Sequence, residues 1–174
     1  LPWTYLHAIK DYVDMAAHIE AVDGAKAVVN FAPVLLEQLE DYARQVDGFL
    51  NHSQAIHDPV LAALDMAALP ADPEHRIMLI KACLRANEDR VIGRFPAYGE
   101  LAEMARWYLA RPETHIYIAD QFLADLVVWY HLGWMAETVR RVDDRVQALM
   151  DQGRGYRLKD RRTLLTLINE LLWS

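Results

Sequence analysis

Asp120-Gln121-Phe122-Leu123-Ala124-Asp125-Leu126-Val127-Val128-Trp129-Tyr130-His131-Leu132-Gly133-Trp134-Met135 is the stretch that decides the fold. Its apolar side chains fall on nearly every side of a helical wheel instead of along one stripe, and a helix that is apolar all round must be packed on several sides. The pattern predicts a central helix from Ile116 to about Arg141. The run without Asp, Glu, Lys or Arg, from Leu126 to Ala136, is far shorter than the ~20 residues a membrane span requires. No membrane span is expected.

Working outward, helical periodicity recurs almost everywhere. Leu6, Ile9, Val13 and Ala16 share one face of a helix from about Thr4 to Val22 that ends before Asp23-Gly24. Leu35, Leu36, Leu39, Tyr42 and Val46 continue a second helix that opens on Pro33, a residue suited to a first helical turn. Asp58-Pro59 and Asp72-Pro73 carry the mark of a capping carboxylate followed by a proline, and they predict the starts of two more helices. The first of these ends near Leu69-Pro70, and the second carries Ile77, Ile80, Cys83, Leu84 and Asn87 as far as Gly93. Tyr98 to Ala110, Asp143 to Gln152 and Lys159 to Trp173 complete the set. Between the first two helices, Ala25 to Phe31 is short, rich in valine and bounded by Gly24 and Pro33, which makes it the one candidate strand. A lone strand is unstable, so it either pairs with chain outside this sequence or stays extended without a sheet. The fold class is therefore mainly α, a bundle of about eight helices with at most one short strand.

The chain has 174 residues, 53% of them hydrophobic, which is one domain's worth of core. Ala and Leu, its two commonest residues, are strong helix formers. A single cysteine, Cys83, fits a reducing compartment, and a cytoplasmic location is expected. The net charge of -7 opposes non-specific attraction to nucleic acid. Basic residues nevertheless outnumber acidic ones between Arg140 and Arg162, and this segment reads as a salt-bridged surface facing an acidic remainder.

Most tests for chemistry fail. Gly153-Arg154-Gly155 lacks the strand and helix that flank a phosphate loop. No two of the seven histidines stand three or four residues apart, so no helix offers a paired metal site. The cluster of His52, His57 and Asp58 reads as capping and loop structure, and Cys83 as a buried small hydrophobe. Asp120 and Asp125, Asp143 and Asp144, and Glu88 and Asp89 each point apart on their helices, so none forms the facing pair that a glycosidase needs. Neither a metal nor a cofactor is expected, and no catalytic residue is assigned.

The order of residues carries more. Leu1-Pro2-Trp3-Thr4-Tyr5-Leu6-His7-Ala8-Ile9-Lys10-Asp11-Tyr12, followed by Val28-Val29-Asn30-Phe31-Ala32-Pro33-Val34-Leu35-Leu36-Glu37-Gln38-Leu39-Glu40-Asp41-Tyr42, resembles the N-terminal region of glycoside hydrolase family 57. Asp120 to Trp134 is similar to a helix in larger members that are α-amylase-like or α-mannosidase-like. The resemblance implies a piece of a (β/α)7-barrel enzyme that acts on α-glucans by retaining hydrolysis or glucan transfer. It also implies that the catalytic pair lies elsewhere, because the family's His-Gln-Pro motif does not occur here and its two carboxylates belong to later segments. Residues 1–46 match the start of the barrel as a helix, strand and helix, and residues 47–174 read as a helical elaboration packed with them as one globular unit. Leu1 in place of Met, together with an apolar last helix that lacks a glycine cap, fits a piece of a longer protein.

Trp3 and His7 are candidates for lining a sugar site, since an aromatic face stacks on a pyranose and an imidazole can hydrogen-bond its hydroxyls. Asn30, at the end of the candidate strand, is similarly placed, because barrel strands present their C-terminal ends to substrate. Each also has a plain structural reading: a docking Trp, a satisfied His and a capping amide. The expected partners are an α-glucan or oligosaccharide and the remaining barrel of the same chain. The alternative function is a non-enzymatic helical interaction module that associates, with itself or others, through Trp107, Trp129 and Trp173. A helical domain holding a cofactor is disfavoured by the lack of convergent His or Cys.

Overall fold

The computed structural model describes residues 2–65 and 69–173. Among these, α1 (Pro2–His7) runs through a π-helical turn at Ala8–Tyr12 into α2 (Val13–Glu20), and α3 (Pro33–His52), α4 (Pro59–Ala62) and α5 (Pro73–Cys83) follow. A second π-helical turn, Glu88–Ile92, leads to α6 (Pro96–Leu109), and a 3₁₀ turn at Pro112–Tyr117 leads to α7 (Asp120–Gly133). The chain ends with α8 (Glu137–Val142), α9 (Asp144–Gln152) and α10 (Leu158–Trp173). The fold is mainly α, and no helix of the described residues is long and apolar enough to cross a membrane.

The helix starts follow their local chemistry. Asp58 Oδ1 accepts from the amides of Val60 and Leu61, each at 3.0 Å, and Asp72 Oδ2 accepts from the His75 amide at 3.0 Å. Asp143 does the same for α9 through the amides of Arg145 and Val146. Each such cap contributes about 1 kcal/mol by satisfying amides that have no partner within the helix.

Every residue of α7 from Phe122 to Gly133 is buried. α5 and α6 pack against it, α10 touches it, and α3 lies along α10 and α1. The core is one cluster from Tyr5 to Ile168, and α3 passes without a break through residues 46 and 47. Tyr5 ties α1 to the central helix: its hydroxyl donates to His131 Nε2 at 3.0 Å, while His131 Nδ1 donates to the Val127 carbonyl at 2.8 Å. Burial lowers the His131 pKa to about 4, although its bond to Val127 works the other way.

The expected helix from Ile116 to Arg141 is divided. It begins at Asp120, after the 3₁₀ turn, and stops at Gly133 because distant groups close its end. The buried guanidinium of Arg140 donates to the carbonyls of Met135 and Leu132, at the foot of α7. Asp14, from α2, accepts from the amides of Glu137 and Thr138 at 2.9 Å and from the Thr138 hydroxyl at 2.6 Å, so it caps α8 from across the molecule. Burial alone would raise the Asp14 pKa, but these bonds outweigh it and hold the carboxyl below its ordinary value. The helix expected to reach Gly93 also stops early, at Cys83, where Tyr98 Oη donates to the Cys83 carbonyl at 2.5 Å. The one expected to reach Leu69 is helical only over Pro59–Ala62; residues 66–68 lie outside the described residues.

No strand occurs among the described residues: Ala25 to Phe31 takes the second of its two expected forms, extended without a sheet, and is exposed throughout. One surface position of the interaction-module alternative is corrected: Trp129 is 4% exposed, and its indole nitrogen donates to the Gly153 carbonyl at 2.6 Å. Trp107 and Trp173 are exposed.

The arginines of residues 140–162 are largely consumed by acidic partners. Arg145 bridges Asp143 and Glu170, Arg154 meets Glu100, Arg162 meets Asp65 and Arg141 meets Glu137. Arg161 donates to the Ala63 carbonyl at 2.8 Å.

Candidate functional site

Two of the three sugar-lining candidates come together. Trp3 and His7, one turn apart on α1, lie with ring centroids 6.4 Å apart, and both meet Trp134 edge-on at 5.5 Å. The π-helical turn explains this meeting. A π turn displaces the regular helical ladder, and here the Ile9 carbonyl accepts from the Ala136 amide at 2.8 Å, which draws the end of α7 and Trp134 against α1. Asn30 stands apart, on the exposed segment that follows Gly24, and does not line the groove described next.

Beside the aromatic trio lies an open groove of ≈ 540 Å³. One side is formed by His7, Lys10 and Asp11, the other by Asn87, Asp89, Arg90, Val91 and Arg94, and Trp134 also lines it. His7 Nδ1 donates to Asp11 Oδ2, and Lys10 Nζ donates to Asp11 Oδ1 at 2.7 Å. Burial would raise the Asp11 pKa, but the hydrogen bonds from Lys10 and His7 outweigh it and hold the carboxyl below its ordinary value. His7 Nε2 has no hydrogen-bond partner among the described residues. On the far side, Asn87 Oδ1 accepts from the Arg90 amide at 2.8 Å, and Arg94 donates to Glu137 at 2.9 Å. The indole nitrogen of Trp134 is buried with no hydrogen-bond partner among the described residues.

Most of the carboxylates tested on sequence grounds have structural duties. Asp120 pairs with Arg76, and Glu88 with Arg106. Asp125 is buried and accepts from the amides of Gly155 and Tyr156, each at 3.0 Å, which pins the turn where Gly155 has a φ of +76°. Burial pushes the Cys83 thiol up, away from the thiolate that a nucleophile requires. Among the described residues, no group of three or more His, Cys, Asp and Glu is placed to hold a metal ion.

The sequence offered one unused signal for this site: His7 and Asp11 are four residues apart and so share a helix face. Trp134 and the 87–94 wall arrive through contacts more than 70 residues distant in sequence, which local periodicity does not report. No family model, no curated protein and no solved structure matches this chain.

Proposed function

We propose that this chain is a helical part of an α-glucan-active glycoside hydrolase of the family 57 kind, with the catalytic carboxylates supplied by the rest of that enzyme. Trp3, His7 and Asn30 are its candidate substrate-lining residues. One observation carries the reading: the β-prone run from Ala25 to Phe31 is apolar yet uncovered. Val28 is 102% exposed, Val29 44% and Phe31 42%, and Val34 and Leu36 prolong the patch. From Lys26 to Phe31 the backbone makes no hydrogen bond within the described residues. Valine-rich backbone with unpaired polar groups has the chemistry of a strand awaiting its neighbours. A barrel supplies such neighbours.

Amide hydrogen exchange tests this directly. Residues 26–31 should exchange at open-chain rates in residues 1–174 alone. They should be protected, by on the order of a hundredfold or more, in a longer protein that continues this chain in both directions. Equal exchange in both would overturn the barrel assignment. The interaction-module reading keeps one observation of its own, the exposed group of Met104, Trp107, Ile116 and Tyr117.

A further inference from the structure

α6 turns Leu101, Ala102 and Ala105 into the core and leaves Met104 and Trp107 exposed on its outer side. These two border an open cleft of ≈ 410 Å³ whose other lining residues are Glu103 and Tyr108. The cleft is anchored to the core, since Tyr108 meets Trp107 edge-on at 5.4 Å and rests on Phe122 of α7 with ring centroids 5.3 Å apart. His115 Nε2 donates to the Tyr108 carbonyl at 3.1 Å and so ties the following 3₁₀ turn, with its exposed Ile116 and Tyr117, to the same end of α6. Two exposed charges flank Trp107, Glu103 four residues before it and Arg111 four residues after it. The Arg111 guanidinium lies 4.8 Å from the centre of the Trp107 ring. Neither Glu103 nor Arg111 forms an ion pair among the described residues, whereas Arg106 between them is taken by Glu88.

We infer that this face joins two copies of the chain, which pair through α6 in antiparallel fashion about a two-fold axis at Trp107. The inference does not rest on the α-glucan reading. A two-fold contact needs a surface that is complementary to itself. The flanking charges meet that need: with two α6 helices antiparallel and centred on Trp107, Glu103 of each copy faces the partner's Arg111, and both unpaired charges find a counterpart. A parallel pairing would set Glu103 against Glu103 and Arg111 against Arg111. The cleft beside each Trp107 receives the partner's indole, a large apolar anchor of the kind that carries most of the binding energy at an interface. Met104, Trp107, Ile116 and Tyr117 together leave roughly 400–500 Å² per copy in water, so pairing removes about 1,000 Å² in all once the rim is added, the lower end for a specific interface. That size, and the net charge of -7 on each copy, to which the exposed Glu113 contributes beside this face, make the dimer weak and reversible.

The test is sedimentation equilibrium of residues 1–174 over about 5 to 500 μM, where a monomer–dimer equilibrium with a dissociation constant on the order of 10–100 μM is expected. Trp107→Ala should weaken it about tenfold or more. Glu103→Arg and Arg111→Glu should each do the same, because each sets like charges together at both ends of the contact. An equimolar mixture of these two variants should regain dimers at about the wild-type affinity, since opposite charges then face each other across the axis. Val28→Asn, on the other exposed apolar patch, should change nothing. All four positions are exposed, so the variants keep the fold, which thermal melts check. A wild type that stays monomeric overturns the pairing and leaves this face to a partner other than the chain itself. Dimers that survive Trp107→Ala, or that Val28→Asn abolishes, put the contact elsewhere and overturn it too. So does a mixture of the two charge variants that fails to regain dimers.

Discussion

Leu126→Ala is expected to lower the unfolding free energy by about 2–5 kcal/mol in denaturant melts, the range for truncating a fully buried leucine. Leu126 is completely buried in the middle of α7, and its neighbours along the helix are buried as well. α5 and α6 press on the same helix, so the space left by the truncation is bounded on two sides. The loss therefore combines the transfer cost of the removed methyl groups with that of the cavity they leave. A loss below about 0.5 kcal/mol, typical of surface positions, would remove α7 from the centre of the core.

Acidification should cost nearly as much through one residue. His131 is fully buried and holds its neutral form between Tyr5 and Val127, with a folded pKa of about 4 against an ordinary value near 6.5. Between these values the unfolded chain binds a proton at this position and the folded chain does not, so stability rises with pH across the window. The contribution is complete above pH ~6.5 and is lost progressively as the pH falls toward 4, a difference of about 3 kcal/mol. Carboxylates with lowered pKa, Asp11, Asp14 and Asp143 among the aspartates and Glu137 and Glu170 among the glutamates, begin to lose their contribution only as the pH falls below about 5, at the acid end of this window. Urea melts at pH 7, 6, 5 and 4 should show the slope in the wild type and a nearly flat line in His131→Gln from pH 7 to pH 5, with only the shared carboxylate loss below that. A wild type equally stable at pH 7 and pH 4.5 would contradict the buried neutral imidazole.

What could be read along the chain was what the chain decides locally. Asp58-Pro59 and Asp72-Pro73 start helices because a carboxylate and the amides two or three residues on are neighbours in sequence, and the two carboxylates bond as that spacing requires. α7 was legible because burial on all sides leaves an unpatterned apolar run. Its end was not, since Gly133 is followed by a turn that Arg140 and Asp14 stabilise, and Asp14 lies more than 100 residues away in sequence. The same limit hid the site's far wall. Trp3 and His7 sit on one readable face, whereas Asn87 to Arg94 reaches them only through a π-helical turn whose five-residue spacing leaves no mark on a 3.6-residue pattern. Trp129 misled in the opposite direction: an indole on a helix is drawn inward as readily as outward, and the Gly153 carbonyl that accepts its N–H belongs to a later turn.

The proposed α-glucan enzyme is tested most directly by release of reducing sugar from starch and maltooligosaccharides. A retaining glycosidase needs two carboxyl groups about 5 to 5.5 Å apart, one to attack and one to protonate the leaving oxygen; without the attacking group no covalent intermediate forms. In this chain Asp120, Glu88, Asp125 and Asp143 are held by arginines or by helix and turn amides, and Asp11 by His7 and Lys10. Residues 1–174 alone are therefore predicted to release nothing, and a longer protein of the kind proposed is predicted to hydrolyse or transfer at least one α-linked substrate. Turnover by residues 1–174 that a single Asp or Glu substitution abolishes would contradict the account, as would a longer protein that is inert toward every α-linked glucan.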